Sequence, residues 1–347
     1  MSGSGSKKIN KRLLSHFPHR NRRRRRSRKA ASLLAAGGLS YVGASWLAAR
    51  AFSQRLISPR GLAPCTANRG EMLEALKSSG CQVSDDRHAG SARSPVTLAA
   101  IFASPGHAAS RPTLLFIHGK GGGAAEWQPD ALRALRLGYN VLLPDLRGHG
   151  ASAGSLFTFG FLEKDDLANA VSRARELHGL DPRRIGIHSC SAGSSVAIEF
   201  AARHDCLALW LESPFADPRE MARHYLAMST GLPNWLLALT GRWALARAVA
   251  RVRRELALPG SDEGLEQFDP VRSMARVHTR VCLVYGEEDR LVPARFARKL
   301  EDALPTGSLV WRVRGAGHCH HDDEAQRVEK KEYERRWTEF FGDNLPV

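Results

Sequence analysis

The segment Ser189-Cys190-Ser191-Ala192-Gly193 offers a hydroxyl nucleophile where the backbone could force it into the open. It follows an apolar run at 185–188 (IGIH) and leads without a spacer into residues 194–200, which read as a helix. A strand-to-helix turn this tight strains its central residue and requires small side chains two before and two after it. Ser191, between Ser189 and Gly193, meets that requirement, whereas Ser189 would have Ile187 behind it and Cys190 would have His188. At the start of the helix, backbone N–H groups and the macrodipole favour negative charge, so Ala192 can donate one N–H to an oxyanion. A second donor must come from another strand end. The turn His118-Gly119-Lys120-Gly121-Gly122-Gly123 has the glycine content that lets backbone approach a ligand. It lacks both the Gly-Lys-Ser/Thr ending of a P-loop and the GxGxxG spacing, which argues against a phosphate cradle.

A serine nucleophile needs a base, and the base needs an orienting carboxylate. Glu287, Glu288 and Asp289 follow the apolar run 281–285, and His318 follows the run 309–313 through Gly315-Ala316-Gly317. The chain order serine, acid, histidine is the order such a triad takes when the nucleophile sits on a strand-to-helix turn. His318, His320, His321, Asp322 and Asp323 also raise a metal cluster, but adjacent residues rarely converge on one ion, and no metal is assigned.

These residues must be positioned by the elements around them. The runs 113–117, 141–144, 185–188, 207–211, 281–285 and 309–313 are apolar on both faces, as strands of a buried parallel sheet are. Between them, 124–137 and 161–178 carry helical periodicity and stop at Gly138 and Gly179. The alternation predicts an α/β class, a doubly wound and mostly parallel sheet whose ligands bind beyond the carboxyl ends of the strands. Residues of about 214–275 hold helical runs, including Trp235, Leu236, Leu237 and Trp243, and eight arginines, but no strand. They are expected to form a helical cap over that edge, inserted after the strand at 207–211.

With these motifs in order, residues 95–345 resemble the α/β-hydrolase superfamily, and within it the serine-aminopeptidase-like and esterase-like members. The resemblance rests on His118-Gly119, on Asp145-Leu146-Arg147-Gly148-His149-Gly150-Ala151-Ser152, on the Ser191 turn, on Asp269-Pro270, on Gly286 to Pro293 and on Gly317-His318. It implies a catalytic triad of Ser191, Asp289 and His318, with Asp289 preferred to its two glutamate neighbours because it fits the family's G-x-x-D-x-x-V-P loop. It also implies an oxyanion hole from the backbone of Ala192 and Lys120, and Arg147 and His149 as structural turn residues. Ser189 stands where the family usually has the first glycine of G-x-S-x-G. The implied chemistry is acyl transfer through an acyl-enzyme on an ester, thioester or amide, without a cofactor. A carboxylesterase or lipase-like activity on a small acyl ester or lipid is expected, with an aminopeptidase-like peptidase as the alternative and a non-catalytic binding protein of the same fold as another.

Charge separates the chain into two parts. Of 51 Lys and Arg, 16 precede the first acidic residue, Glu71, leaving 35 basic against 35 acidic groups in the rest. A neutral body argues against nucleic acid as its partner. Residues 1–29 carry 12 basic groups and no acid, and are expected to be a disordered tail. The uncharged residues that follow make 30–50 a candidate membrane-anchor helix, with the basic tail cytoplasmic by the positive-inside rule. A transit peptide and a secretory signal are the alternatives. The globular domain is then 71–347. Six cysteines are too few for a disulfide scaffold, and only Cys65 and Cys81 sit where a pair is plausible. Nothing in the sequence fixes an oligomeric state.

Overall fold

The computed structural model describes residues 18–59, 67–231, 234–256, 269–318 and 329–347. Within them an eight-stranded sheet runs in the order β1-β2-β4-β3-β5-β6-β7-β8. Its strands are β1 (Gln82–Ala89), β2 (Thr97–Ser104), β3 (Thr113–Ile117), β4 (Asn140–Pro144), β5 (Ile185–Cys190), β6 (Ala208–Glu212), β7 (Arg280–Gly286) and β8 (Leu309–Val313). β2 pairs antiparallel with both β1 and β4, and every pair from β4 to β8 is parallel. All residues of β3, β4, β5 and β6 are buried, which explains their unbroken apolar sequence.

Helices cover both faces. Apolar residues of α4 (Glu163–His178), α5 (Ala192–Ala201) and α9 (Ala294–Glu301) pack on one side. Those of α2 (Arg69–Ser78), α3 (Gln128–Arg136) and α10 (Lys330–Asn344) pack on the other. The strand order reverses at β3, so the crevice for a ligand opens beyond the carboxyl ends of β3 and β5. Between β6 and β7 the described residues form α6 (Pro218–Thr230), α7 (Asn234–Glu255) and the short α8 (Pro270–Met274), with no strand among them. Leu237 is buried and Trp243 partly so, while the side chains of Trp235 and Leu236 lie outside the described part. Cys65 and residues 319–328, with His320, His321, Asp322 and Asp323, are also outside it.

Two strands at the start of the domain add to the six read from the sequence. β1 is an edge strand with mostly polar, partly exposed residues, so it carries no apolar signature, and β2 owes its apolar run to burial between β1 and β4.

The expected membrane anchor over residues 30–50 is corrected by the structure. Among the described residues no helix is long and apolar enough to cross a membrane. Residues 30–49 contain seven alanines, three glycines and three serines, and side chains this small supply little transfer free energy. The segment belongs to α1 (Pro18–Ile57), a 40-residue helix that takes in residues 18–29 of the basic stretch as well. Its last turns bury Ala49, Phe52, Leu56 and Ile57 in a cluster with Leu226 of α6 and Leu237, Ala244, Ala248 and Val252 of α7. The apolar residues there serve a helix–helix contact inside the protein, and the expectation of a tail and domain on opposite sides of a bilayer falls with the anchor.

Arg147 shows why the turn after β4 is built as it is. Its guanidinium forks onto Asp166 of α4 with two bonds of 2.7 Å, and Asp166 also accepts the Ser91 N–H at 2.6 Å. All three residues are buried, so removing one charge strands the other. Arg147→Ala is expected to cost about 3–5 kcal/mol in urea unfolding; a loss below about 1 kcal/mol, the range of an exposed pair, would contradict this account.

Candidate active site

Ser191 stands between β5 and α5 with φ 52° and ψ −127°, a conformation few residues other than glycine adopt. The turn is held from three directions. The Ser191 N–H donates to the Glu212 carbonyl at 2.8 Å, and the Ser194 hydroxyl donates to the same carbonyl at 3.0 Å. A Cβ on Gly193 would lie 2.4 Å from the His118 carbonyl oxygen and 2.7 Å from that of Ile117, so the first turn of α5 and the end of β3 touch backbone to backbone. Ala192 opens α5, where the N–H groups have no carbonyl partner within the helix. The His118 carbonyl therefore sits against the first turn of α5, at the reversal of strand order, and opens the turn at 118–120.

His118 shapes that turn. Its Nε2 accepts the Leu146 N–H at 3.0 Å, which leaves Nδ1 to donate to the Gly119 carbonyl at 2.7 Å. Asp145 ties the neighbouring turn to it, accepting Ala124 N–H at 2.7 Å, Ala151 N–H at 2.9 Å and the Arg69 guanidinium at 2.5 Å. His149 is buried beside His118 and Phe157, and burial first, then the neighbouring charges, lowers its imidazole to about 3. It is neutral at physiological pH. Lys120 is half-buried, and its ammonium donates to the carbonyls of Arg55 at 2.5 Å and Leu56 at 3.0 Å, a contact the sequence did not signal.

The acid and the imidazole meet at the ends of β7 and β8. The His318 Nδ1 lies 2.8 Å from Asp289 Oδ2, and the other carboxylate oxygen accepts the N–H groups of Leu291 at 2.9 Å and Val292 at 2.8 Å. Both side chains are buried, while Glu287 and Glu288 are exposed to solvent. A carboxylate acceptor at Nδ1 fixes the tautomer, so the basic nitrogen of His318 is Nε2. Gly286 permits the approach: a Cβ there would lie 2.2 Å from the Ala316 carbonyl oxygen. Glu287 N–H donates to Val313 and Glu288 N–H to Ala316, each at 3.0 Å, which zips the two loops together.

Behind the Ser191 turn lies a polar group that the sequence analysis did not single out. Glu212 accepts the Trp210 Nε1–H at 2.9 Å, the His188 Nε2–H at 3.0 Å and the Tyr333 hydroxyl. The Trp337 Nε1–H in turn donates to His188 Nδ1 at 3.2 Å. The residue whose carbonyl anchors Ser191 is thus itself clamped by three donors. Of the residues that raised a metal cluster only His318 is described, and among the described residues no three His, Cys, Asp or Glu could hold an ion together.

The glycine contacts give a direct test. Gly193→Ala would press a methyl into the His118 carbonyl, and an overpacked backbone contact of this kind costs about 1–3 kcal/mol. Thermal melting should show that loss; a variant as stable as the parent would mean that the two turns are not in contact.

Comparison with known proteins places this geometry. Residues 114–331, more than half of the chain, match the alpha/beta hydrolase family model. The uncharacterized protein YqkD of Bacillus subtilis is 30% identical over 173 residues, covering 48% of this chain and 51% of its own length, so the chain spans about half of that relative. Among solved structures, the Pyrococcus furiosus esterase Pf2001 superposes with a TM-score of 0.60 at 20% identity, covering 83% of this chain and 99% of the esterase. The Pyrococcus horikoshii acylaminoacyl peptidase superposes at 0.53 and 17% identity, over 77% of this chain and 42% of the peptidase. At such identities the two structures attest the fold, and the family match attests the lineage: the chain belongs to the alpha/beta hydrolase family.

Proposed function

We propose that this protein is a serine hydrolase of carboxylesterase or lipase-like activity, in which Ser191 is the nucleophile, His318 the base and Asp289 the orienting acid. The observation that carries the reading is the buried 2.8 Å bond between Asp289 and the far nitrogen of His318, on the sheet edge where Ser191 holds its strained turn. In the reaction, His318 Nε2 takes the Ser191 hydroxyl proton as Oγ bonds to the substrate carbonyl carbon. The carbonyl oxygen becomes an oxyanion facing the N–H groups of Ala192 and Lys120. Collapse expels the alkoxide, which receives the proton from His318, and a water repeats the sequence to release the acid.

The preference for esters or lipids over peptides is supported by the apolar residues around the edge. Phe157, Phe159 and Phe215 form an edge-to-face series with centroids 4.7 and 5.9 Å apart, and α6 contributes Tyr225. The esterase neighbour favours the same choice, whereas the peptidase neighbour makes amide cleavage the reading to test against it.

The deciding assay is a p-nitrophenyl ester series of increasing acyl length beside aminoacyl anilides. Turnover of the esters is expected to exceed that of the anilides. Ser191→Ala should lose at least about 10³-fold in kcat, and Asp289→Asn about 10⁴-fold, because the wrong His318 tautomer is then favoured. Ester turnover that survives Ser191→Ala would overturn the proposal.

A further inference from the structure

The carboxyl end of α1 is fastened to the catalytic edge from several sides. Lys120, in the turn proposed to supply an oxyanion donor, extends its ammonium onto the carbonyls of Arg55 and Leu56, at 2.5 and 3.0 Å, in the last turn of the helix. The Phe157 N–H donates to the Ile57 carbonyl at 2.8 Å. Phe157 begins a loop that presses on the nucleophile helix, since a Cβ on Gly160 would lie 2.8 Å from Glu199 and 3.3 Å from the Ser195 carbonyl oxygen. Phe52 of α1 meets Tyr225 of α6 with ring centroids 5.7 Å apart. The end of α1 thus touches the oxyanion turn directly and α5 through one loop.

A helix in this orientation poses an electrostatic problem. Its carboxyl terminus carries roughly half a negative charge on unpaired carbonyls, concentrated in the last turn. An oxyanion growing one lysine side chain away would be repelled by it. We propose that the Lys120 ammonium is a positioning and charge-compensating group for the hydrolytic reaction: it docks the end of α1 against the oxyanion turn and cancels that end's negative charge. The inference rests on the triad reading above.

The ammonium is well placed for this task. It lies 5.9 Å from the centre of the Phe159 ring and 5.8 Å from that of Tyr225, within the range of cation–π attraction. Phe159 holds φ 56°, unusual for a large aromatic residue, to keep its ring there. Burial lowers the Lys120 ammonium to about 8, so it is charged at neutral pH and loses its charge just above. Among the described residues the groups around it are Tyr225 on α6, whose ring lies under the ammonium and feels Arg55, and His149, which feels both Lys120 and His118. His149 is lowered to about 3, and burial raises the Tyr225 phenol, so neither follows Lys120 in changing charge near pH 8. A neutral amine can still donate to the two carbonyls, but it no longer offsets their charge.

The test is the rate at which a fluorophosphonate labels Ser191 in the full chain, measured from about pH 6 to 10. In labelling, Ser191 Oγ displaces fluoride from phosphorus while its proton passes to His318, through a transition state with an anionic oxygen in the oxyanion hole. The parent rate is expected to fall as pH passes about 8. Lys120→Met should label roughly tenfold more slowly at neutral pH, the scale of a buried helix-end charge, and lack that alkaline step. Lys120→Arg should restore the rate and hold it to high pH, because a guanidinium stays charged. Thermal melts establish that each variant is folded; the parent profile and Lys120→Met decide the matter if the arginine is not accommodated. Ser191-dependent labelling that is equally fast in folded Lys120→Met, or a parent rate without the alkaline step, would overturn this inference alone. Parent protein that never labels, or labels undiminished in Ser191→Ala, would overturn the triad reading and this inference with it.

Discussion

A serine held at φ 52° and ψ −127° is the constraint around which the rest of the molecule is arranged. A residue in so sparsely populated a region costs about 1–3 kcal/mol and persists only where its surroundings over-determine it. Here the surroundings do. The Glu212 carbonyl takes the Ser191 N–H, three donors clamp the Glu212 carboxylate, and Gly193 allows the end of β3 to close on the start of α5. The strain has a chemical consequence. It projects a hydroxyl from a rigid sheet edge at the point where helix N–H groups face outward, which is where an acyl-transfer transition state needs them.

The same edge is assembled from backbone contacts that admit no side chain. Gly193 against His118 and Gly286 against Ala316 bring four strand ends together at distances that a Cβ would forbid. Side chains then set the electrostatics: Asp289 orients His318, burial keeps His149 neutral, and Lys120 faces the carboxyl end of α1. The N-terminal helix is accordingly part of the wall around the proposed site. Its last turns pack Phe52, Leu56 and Ile57 with α6 and α7, while the small residues before them make it too weakly apolar for a bilayer.

Much of this was legible in sequence, for physical reasons that also explain what was not. β3 to β7 announce themselves because strands buried on both faces must be apolar throughout, whereas β8, read the same way, is an edge strand with Leu309, Val310 and Arg312 exposed. The Ser191 turn is legible because strain and close approach restrict which residues can flank it. β1 was not, since an edge strand such as 82–89 can carry Asp85, Asp86 and Arg87 without cost. Nor was the place of α1: twenty uncharged residues have the length of a bilayer span, but their side chains are too small and weakly apolar for one, and Phe52 and Leu56, beyond that segment, pack with α6 and α7. The ammonium of Lys120 and the Tyr333 hydroxyl on Glu212 make contacts between residues more than sixty and one hundred positions apart, which no local pattern encodes.

The central claim is that the hydroxyl at the strained turn is the group that acquires the acyl unit. It is tested most directly by reacting the protein with a phosphonylating reagent and mapping the adduct by peptide mass spectrometry. The account predicts a single stoichiometric adduct on the peptide bearing Ser191, abolished when the protein is first unfolded. An adduct on a different residue of the native protein would contradict it.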